Sequence, residues 1–240
     1  MNPNLIDEIR SRGFWRVNFR PVRLDTPNPL TLNKCFTVVQ ASSVSLRGWD
    51  YPHIASGARD DSGIDRFEHF VQSWTDWLNH REFWRMYTSS QFLHYRALHE
   101  DWRSRDFGGG RPPVFGSEVD QPLLGVTGTI YSLTEVCEFL SRLILQSELY
   151  QAGVTVNIGL ENTAGRELVV DEPMRAPFMY ARTTDAASIT YIANISPAEV
   201  IDPKTLAAKI LRYFFERFGW DPPEEQLMAD INKLYRTGHI

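Results

Sequence analysis

Residues 67–102 read FEHFVQSWTDWLNHREFWRMYTSSQFLHYRALHEDW, and the alternation within this stretch decides the fold class. Glu82–Thr88 and Gln91–Leu98 are rich in aromatic and apolar residues. Side chains of a strand alternate faces with period two, so each segment predicts a strand with two distinct faces. A two-residue Ser89-Ser90 loop predicts a tight hairpin, although Ser-Ser lacks the Gly or Asn that primed turns prefer. That loop sets Trp84 opposite Tyr95, Arg85 opposite His94 and Phe83 opposite Arg96. One face is then Trp84, Met86, Leu93, Tyr95 and Ala97, an ordinary core. The other is Phe83, Arg85, Tyr87, Phe92, His94 and Arg96, aromatic and cationic together. A slip of one residue would exchange the faces of one strand and undo this segregation.

Working outward, Phe67–Trp77 predicts a third strand. Pairing Trp77 with Glu82 would add Phe70, Gln72, Trp74 and Asp76 to the cationic aromatic face. Upstream, Leu5, Ile6 and Ile9 predict a short helix stopped at Gly13. Phe14–Arg20 alternates strictly, with Trp15, Val17 and Phe19 on one side. Leu30–Ala41 has helical spacing and Ser43–Arg47 predicts a short strand. Downstream, Ser104–Gly128 is rich in Gly and Pro and reads as a loop or linker. Ser132-Leu-Thr-Glu135 is a capping-box pattern that predicts a helix start. Val154–Leu160 and Glu167–Val170 flank a turn and predict a hairpin. Phe178–Tyr180 and Ile189–Ala193 predict further strands. Asp202-Pro203 and Asp221-Pro-Pro-Glu224 open two more helices, because Pro suits the first turn. The expected fold class is α+β: a mainly antiparallel, aromatic-rich sheet packed with amphipathic helices. It forms one continuous domain or two lobes, 1–103 and 129–240, joined by 104–128.

The composition narrows the function classes. A net charge of −5 excludes a global basic field, so any anion site must be a local patch. Cys35 and Cys137 lie in apolar helical patterns and read as small buried residues, which suits a reducing cytosol. There is no run of apolar residues long enough for a membrane span, and the N-terminus is polar, so a cytoplasmic location is expected. Gly108–Pro113 has no Gly-Lys-Ser/Thr, and its prolines remove backbone donors, so it reads as linker rather than phosphate loop. No Gly-x-Ser-x-Gly, HExxH or cysteine pair at zinc spacing occurs. No cofactor, metal ligand or catalytic residue is therefore assigned.

Two candidate ligand-binding groups remain. The first is the hairpin face, with Phe83, Arg85, Tyr87, His94 and Arg96. Sheets that present aromatics and cations stack bases and hold phosphates. The competing reading is that helices cover this face and its charges are internally paired. The second group is Arg47, Asp50 and His53 in RGWDYPH, a loop following a strand. Its competing reading is a structural corner pinned by Trp49 and Tyr51, with Arg47 paired to Asp50.

The segments SVSLRGWDYPHI (43–54), EFWRMYTSSQFLHYRALHEDW (82–102) and RGFWRVNFRP (12–21) resemble uncharacterised bacterial segments that sit beside schlafen/AlbA-type DNA-binding domains. The similarity spans roughly residues 12–220 and carries no catalytic residue over. It implies a bacterial cytosolic module in a regulatory or defence setting. The function expected is a non-catalytic binding or sensor module for an anionic ligand, a nucleotide or a nucleic acid. The alternatives are a protein-interaction subunit of a larger complex and, third, a metal-dependent nuclease using Glu161, Asp171 and Glu172. The oligomeric state is left open.

Overall fold

The computed structural model describes residues 2–23, 30–56, 61–77, 80–102, 121–146 and 150–237. Most of the predicted 104–128 linker, including the Gly108–Pro113 motif, lies outside them. The fold is α+β. Seven antiparallel strands form one sheet: β1 (Phe14–Pro21), β2 (Ser62–Arg66), β3 (Phe70–Trp77), β4 (His80–Tyr87), β5 (Phe92–Ala97), β7 (Val154–Glu161) and β10 (Ser188–Ile195). Their spatial order is β10-β7-β1-β5-β4-β3-β2. A second sheet holds β6 (Leu123–Gly125), β8 (Arg166–Val169) and β9 (Arg182–Thr184). The helices are α1 (Leu5–Arg10), α2 (Leu32–Ser42), α3 (Val126–Gln146), α4 (Pro203–Glu216) and α5 (Glu224–Thr237). β7 and β10, from the second half of the chain, continue the sheet begun by the first half, and β7 pairs with β1 along its whole length.

One sheet face carries the main core. Trp15, Val17 and Phe19 of β1 pack with Val156, Ile158 and Leu160 of β7 and with Trp84, Met86 and Phe92 of the hairpin. Helices α2, α3 and α4 cover this face. Phe92 lies 4.8 Å from Phe139 of α3, and Trp15 lies 5.0 Å edge-on from Phe214 of α4. α4 starts as predicted: Asp202 accepts from the Lys204 and Thr205 amides, with Pro203 in the first turn. On the opposite face α1 seals a smaller cluster of Leu5, Ile9, Phe14, Trp74, Phe83 and Ala97, with Trp102 packed against it. Cys35 and Cys137 are free and buried. Among the described residues no helix is long and apolar enough to cross a membrane.

The hairpin register differs from the expected one by a single residue. Glu82 opposes Arg96, Phe83 opposes Tyr95, Trp84 opposes His94 and Arg85 opposes Leu93. The cause is the turn. Ser90 adopts φ 68°, the Ser90 amide bonds to the Tyr87 carbonyl and the Tyr87 amide bonds to the Gln91 carbonyl. The loop therefore has three residues, Thr88-Ser89-Ser90, with the last left-handed. The Ser90 carbonyl also accepts from the Tyr150 hydroxyl at 2.6 Å, which anchors the turn to the protein interior. An odd loop inverts the pairing parity, so the predicted face of Phe83, Arg85, Tyr87, Phe92, His94 and Arg96 does not exist. Phe83, Arg85 and Tyr87 stay on one side; Phe92, His94 and Arg96 move to the core side beside Glu82 and Trp84. The β3–β4 pairing differs from expectation by two residues, Trp77 opposing His80. An even shift preserves faces, so Phe70, Gln72, Trp74 and Asp76 do share a side with Phe83, Arg85 and Tyr87.

Four further expectations are corrected. Ser43–Arg47 is not a strand; one bridge between Val44 and Tyr51 closes the intervening loop. Ser132 does not cap a helix, because α3 begins at Val126, and its hydroxyl bonds back to the Gly128 carbonyl. The helix start is capped instead by Asp171, which accepts from the Thr127 and Gly128 amides. β7 and β8 are not a hairpin, since β8 pairs with β6 and β9 in the second sheet. Phe178–Tyr180 forms no strand either, and β9 follows it.

Candidate ligand pocket

One transverse row of the helix-covered face changes character along its length. It begins apolar with Ile189, Leu160 and Trp15, then continues as Arg96, Glu82 and Thr75. At the polar end the described helices do not close over the sheet. The 47–49 loop, the end of β5 and the first turn of α3 enclose a cavity of about 460 Å³. Its walls include Arg47, Trp49, His80, Arg96, His99 and Thr129, with Glu82 at the sheet.

The loop is held by its own side chains. The Val44–Tyr51 bridge closes it, and Gly48 takes φ 80° at its tip, a conformation that suits a residue without Cβ. Asp50 pairs with His53 at 2.6 Å and accepts from the Ile54 amide. Burial alone would lower His53, but the hydrogen bond and charge of Asp50 override it and hold the imidazole above its usual value. Asp50 and His53 thus brace the loop from behind. Arg47 does not pair with Asp50. Its guanidinium makes two 2.8 Å hydrogen bonds to Glu135 of α3, a carboxylate that is almost fully buried.

Trp49 links the loop to the sheet. Its ring stacks 4.1 Å from His53 and 4.4 Å from His80, and its indole N–H donates to Glu82 Oε1 at 3.1 Å. The other oxygen, Glu82 Oε2, lies 2.8 Å from His94 Nε2, and His94 Nδ1 lies 3.1 Å from the Tyr51 hydroxyl. Burial would raise the Glu82 carboxyl, but the hydrogen bond and charge of His94, Arg96 and the Trp49 hydrogen bond outweigh it and bring it down to about 2. Burial also lowers His94. An ionised carboxylate can only accept, so His94 Nε2–H donates to Glu82. Burial likewise lowers His80.

Arg96 is the exception in this network. Its side chain is 21% exposed, and its nearest acid is Glu135 at 3.7 Å. Among the described residues it donates no hydrogen bond. The Thr129 hydroxyl, also at the cavity wall, is buried without a partner among the described residues.

The structure therefore divides the predicted site residues. Arg47 and Arg96 meet at the cavity, with Asp50, His53 and His94 supporting it from behind. Phe83, Arg85 and Tyr87 lie across the sheet. Arg85 bonds there to Gln72 at 2.7 Å and stacks over Phe70 and Phe83. Glu82, Trp49, His80, Thr129 and Glu135 were not among the predicted site residues. Glu82 carried one signal, a carboxylate set into an otherwise aromatic strand. The predicted nuclease carboxylates are engaged separately: Glu161 with Arg16, Asp171 at the α3 start and Glu172 with Lys233. Among the described residues no three His, Cys, Asp or Glu side chains are grouped to hold a metal.

Comparison with known protein families, characterised proteins and solved structures finds no match to this chain.

Proposed function

We propose that this chain is a binding module that holds a small anionic ligand in the cavity between the 47–49 loop, β5 and α3. Arg96 carries the reading. A half-buried guanidinium has five N–H donors, and here none of them makes a hydrogen bond among the described residues, the Glu135 carboxylate lying 3.7 Å away. An oxyanion in the cavity would satisfy two of them in the fork geometry that arginine favours. Arg47 is held by Glu135 at the same wall, so its charge is largely neutralised and it serves as a frame. The cavity size lies within the usual range for small-molecule sites.

The reading replaces a flat cationic sheet surface with a pocket, which favours a nucleotide-sized or smaller anion over an extended nucleic-acid strand. The stretches 43–54 and 82–102, which carry the bacterial resemblance, also supply Arg47, Trp49, Glu82 and Arg96. That coincidence supports a ligand sensor acting in the cytoplasm within a bacterial regulatory or defence system. The test is titration with inorganic phosphate, acetate and succinate, followed by NMR amide shifts and calorimetry. Saturable shifts at residues 47–49, 96–100 and 128–132, abolished in Arg96→Met, are expected. Shifts that persist in Arg96→Met would sink the assignment.

A further inference from the structure

Glu82 and Arg96 face each other directly across β4 and β5. Such partners have Cβ atoms about 5 Å apart, close enough for a carboxylate and a guanidinium to meet. They make no hydrogen bond or ion pair with each other. Glu82 is held by Trp49 and His94. Arg96 leans toward Glu135. Both charges line the same cavity. Each is engaged elsewhere, Glu82 by Trp49 and His94 and Arg96 by the more distant Glu135, so a group lying between them would meet both charges at once.

We infer that the ligand is a zwitterion of the α-amino-acid type, its ammonium on Glu82 and its carboxylate on Arg96. This rests on the cavity being the binding site. Each Glu82 oxygen already accepts one hydrogen bond and keeps a lone pair for another, which an ammonium fits. A carboxylate on the neighbouring carbon then falls beside the Arg96 fork. A simple anion would reach Arg96 but lie near the Glu82 carboxylate, so it would bind more weakly than a ligand that also carries an ammonium. A simple cation would leave Arg96 unsatisfied. The Thr129 hydroxyl offers one more polar contact, and Trp15, Leu98 and Leu124 provide an apolar wall for a side chain.

The experiment screens the standard L-α-amino acids at millimolar concentration by calorimetry and NMR on the whole chain. Any binder is then compared with its N-acetyl and methyl-ester derivatives. Each derivative removes one charged contact, so each should bind about 10- to 100-fold more weakly. Glu82→Gln should narrow the gap between the amino acid and its N-acetyl form, and Arg96→Met the gap to its ester. The wild-type comparisons stand even if a variant fails to fold. Acetate, succinate and phosphate binding through Arg96, with no gain from an added ammonium, overturns the zwitterion and leaves the anion pocket intact. If neither amino acids nor these anions bind, both readings fall.

Discussion

Arg85 and Arg96 belong to neighbouring strands and lie on opposite faces of one sheet. Arg85 looks like the better surface cation because, among the described residues, no helix layer lies over the main part of its face. Yet its Nε–H donates to Gln72, and its plane stacks on Phe70 and Phe83. Arg96 sits on the face covered by helices, in a gap of that cover, with no hydrogen bond among the described residues. Exposure is therefore a poor guide to availability here. The useful distinction is whether the fold already satisfies a charge, since an unsatisfied buried donor is the one with free energy to gain from a ligand.

The sharpest way to break this comparison is to test the register that separates the two arginines. Phe92 is fully buried against Phe139 and Phe19, whereas its neighbour Leu93 points to the open face. Phe92→Ala should cost about 3–5 kcal/mol, the range for a buried aromatic. Leu93→Ala should cost less than about 1 kcal/mol. Urea titration of both variants decides it. The reverse order would restore the two-residue loop and return Arg85, His94 and Arg96 to one face.

A smaller effect sharpens the account of Arg96. Glu135 is buried and shared unequally, bidentate with Arg47 and distant from Arg96. Arg47→Met removes two charge-assisted hydrogen bonds and should cost roughly 1.5–3 kcal/mol. It should also draw Arg96 toward Glu135 and weaken anion binding. Glu135→Gln should do the opposite to Arg96 and strengthen anion binding. Equal weakening in both variants, with both folded, would mean that Arg96 is not the anchor.

Acidification tests the carboxylate–imidazole pair on the covered face. His94 and His80 are held below the ordinary 6.5, so their contribution is complete above that value and declines as pH falls through it. Glu82 extends the loss from 4.5 down to about 2. His53 is held above 6.5, so it contributes with the opposite sign, and its stabilisation fades as pH rises. Denaturant titrations between neutral pH and about pH 5 should show stability falling, less steeply in His94→Gln. An unchanged slope in that variant would mean that His94 is already charged at neutral pH.

The α+β class was legible because alternation and caps are local. Trp15, Val17 and Phe19 form one face as their spacing predicts, and Asp202-Pro203 opens α4 as its chemistry predicts. What the local pattern could not supply was parity. Ser90 takes a left-handed conformation without being Gly or Asn, and Tyr150, sixty residues away, binds its carbonyl. That long-range contact leaves no mark in the hairpin itself. β2, Ser62–Arg66, has no apolar alternation and is specified by pairing with β3. The pocket was half legible for the same reason. Arg47 and Arg96 stood out by type and position, but Glu135 reads as a helix cap until α3 is seen to begin two turns earlier. The expected two-residue loop would set Glu82 opposite Ala97, and only the observed register sets it against Arg96.

The smallest expected effect is at Arg85, and it bears most directly on the contrast between the faces. Arg85→Met removes the hydrogen bond to Gln72 and the contacts of the guanidinium over Phe70 and Phe83. These lie on a partly exposed surface, where such interactions contribute about 0.2–1 kcal/mol. Stability should therefore change by less than about 1 kcal/mol. Anion binding should not change, because the sheet separates Arg85 from the cavity and no residue that bonds to it lines the cavity wall. Calorimetry with succinate on Arg85→Met beside Arg96→Met reads the contrast directly. If Arg85→Met weakens binding as much as Arg96→Met, the ligand sits on the open face and the pocket assignment is wrong.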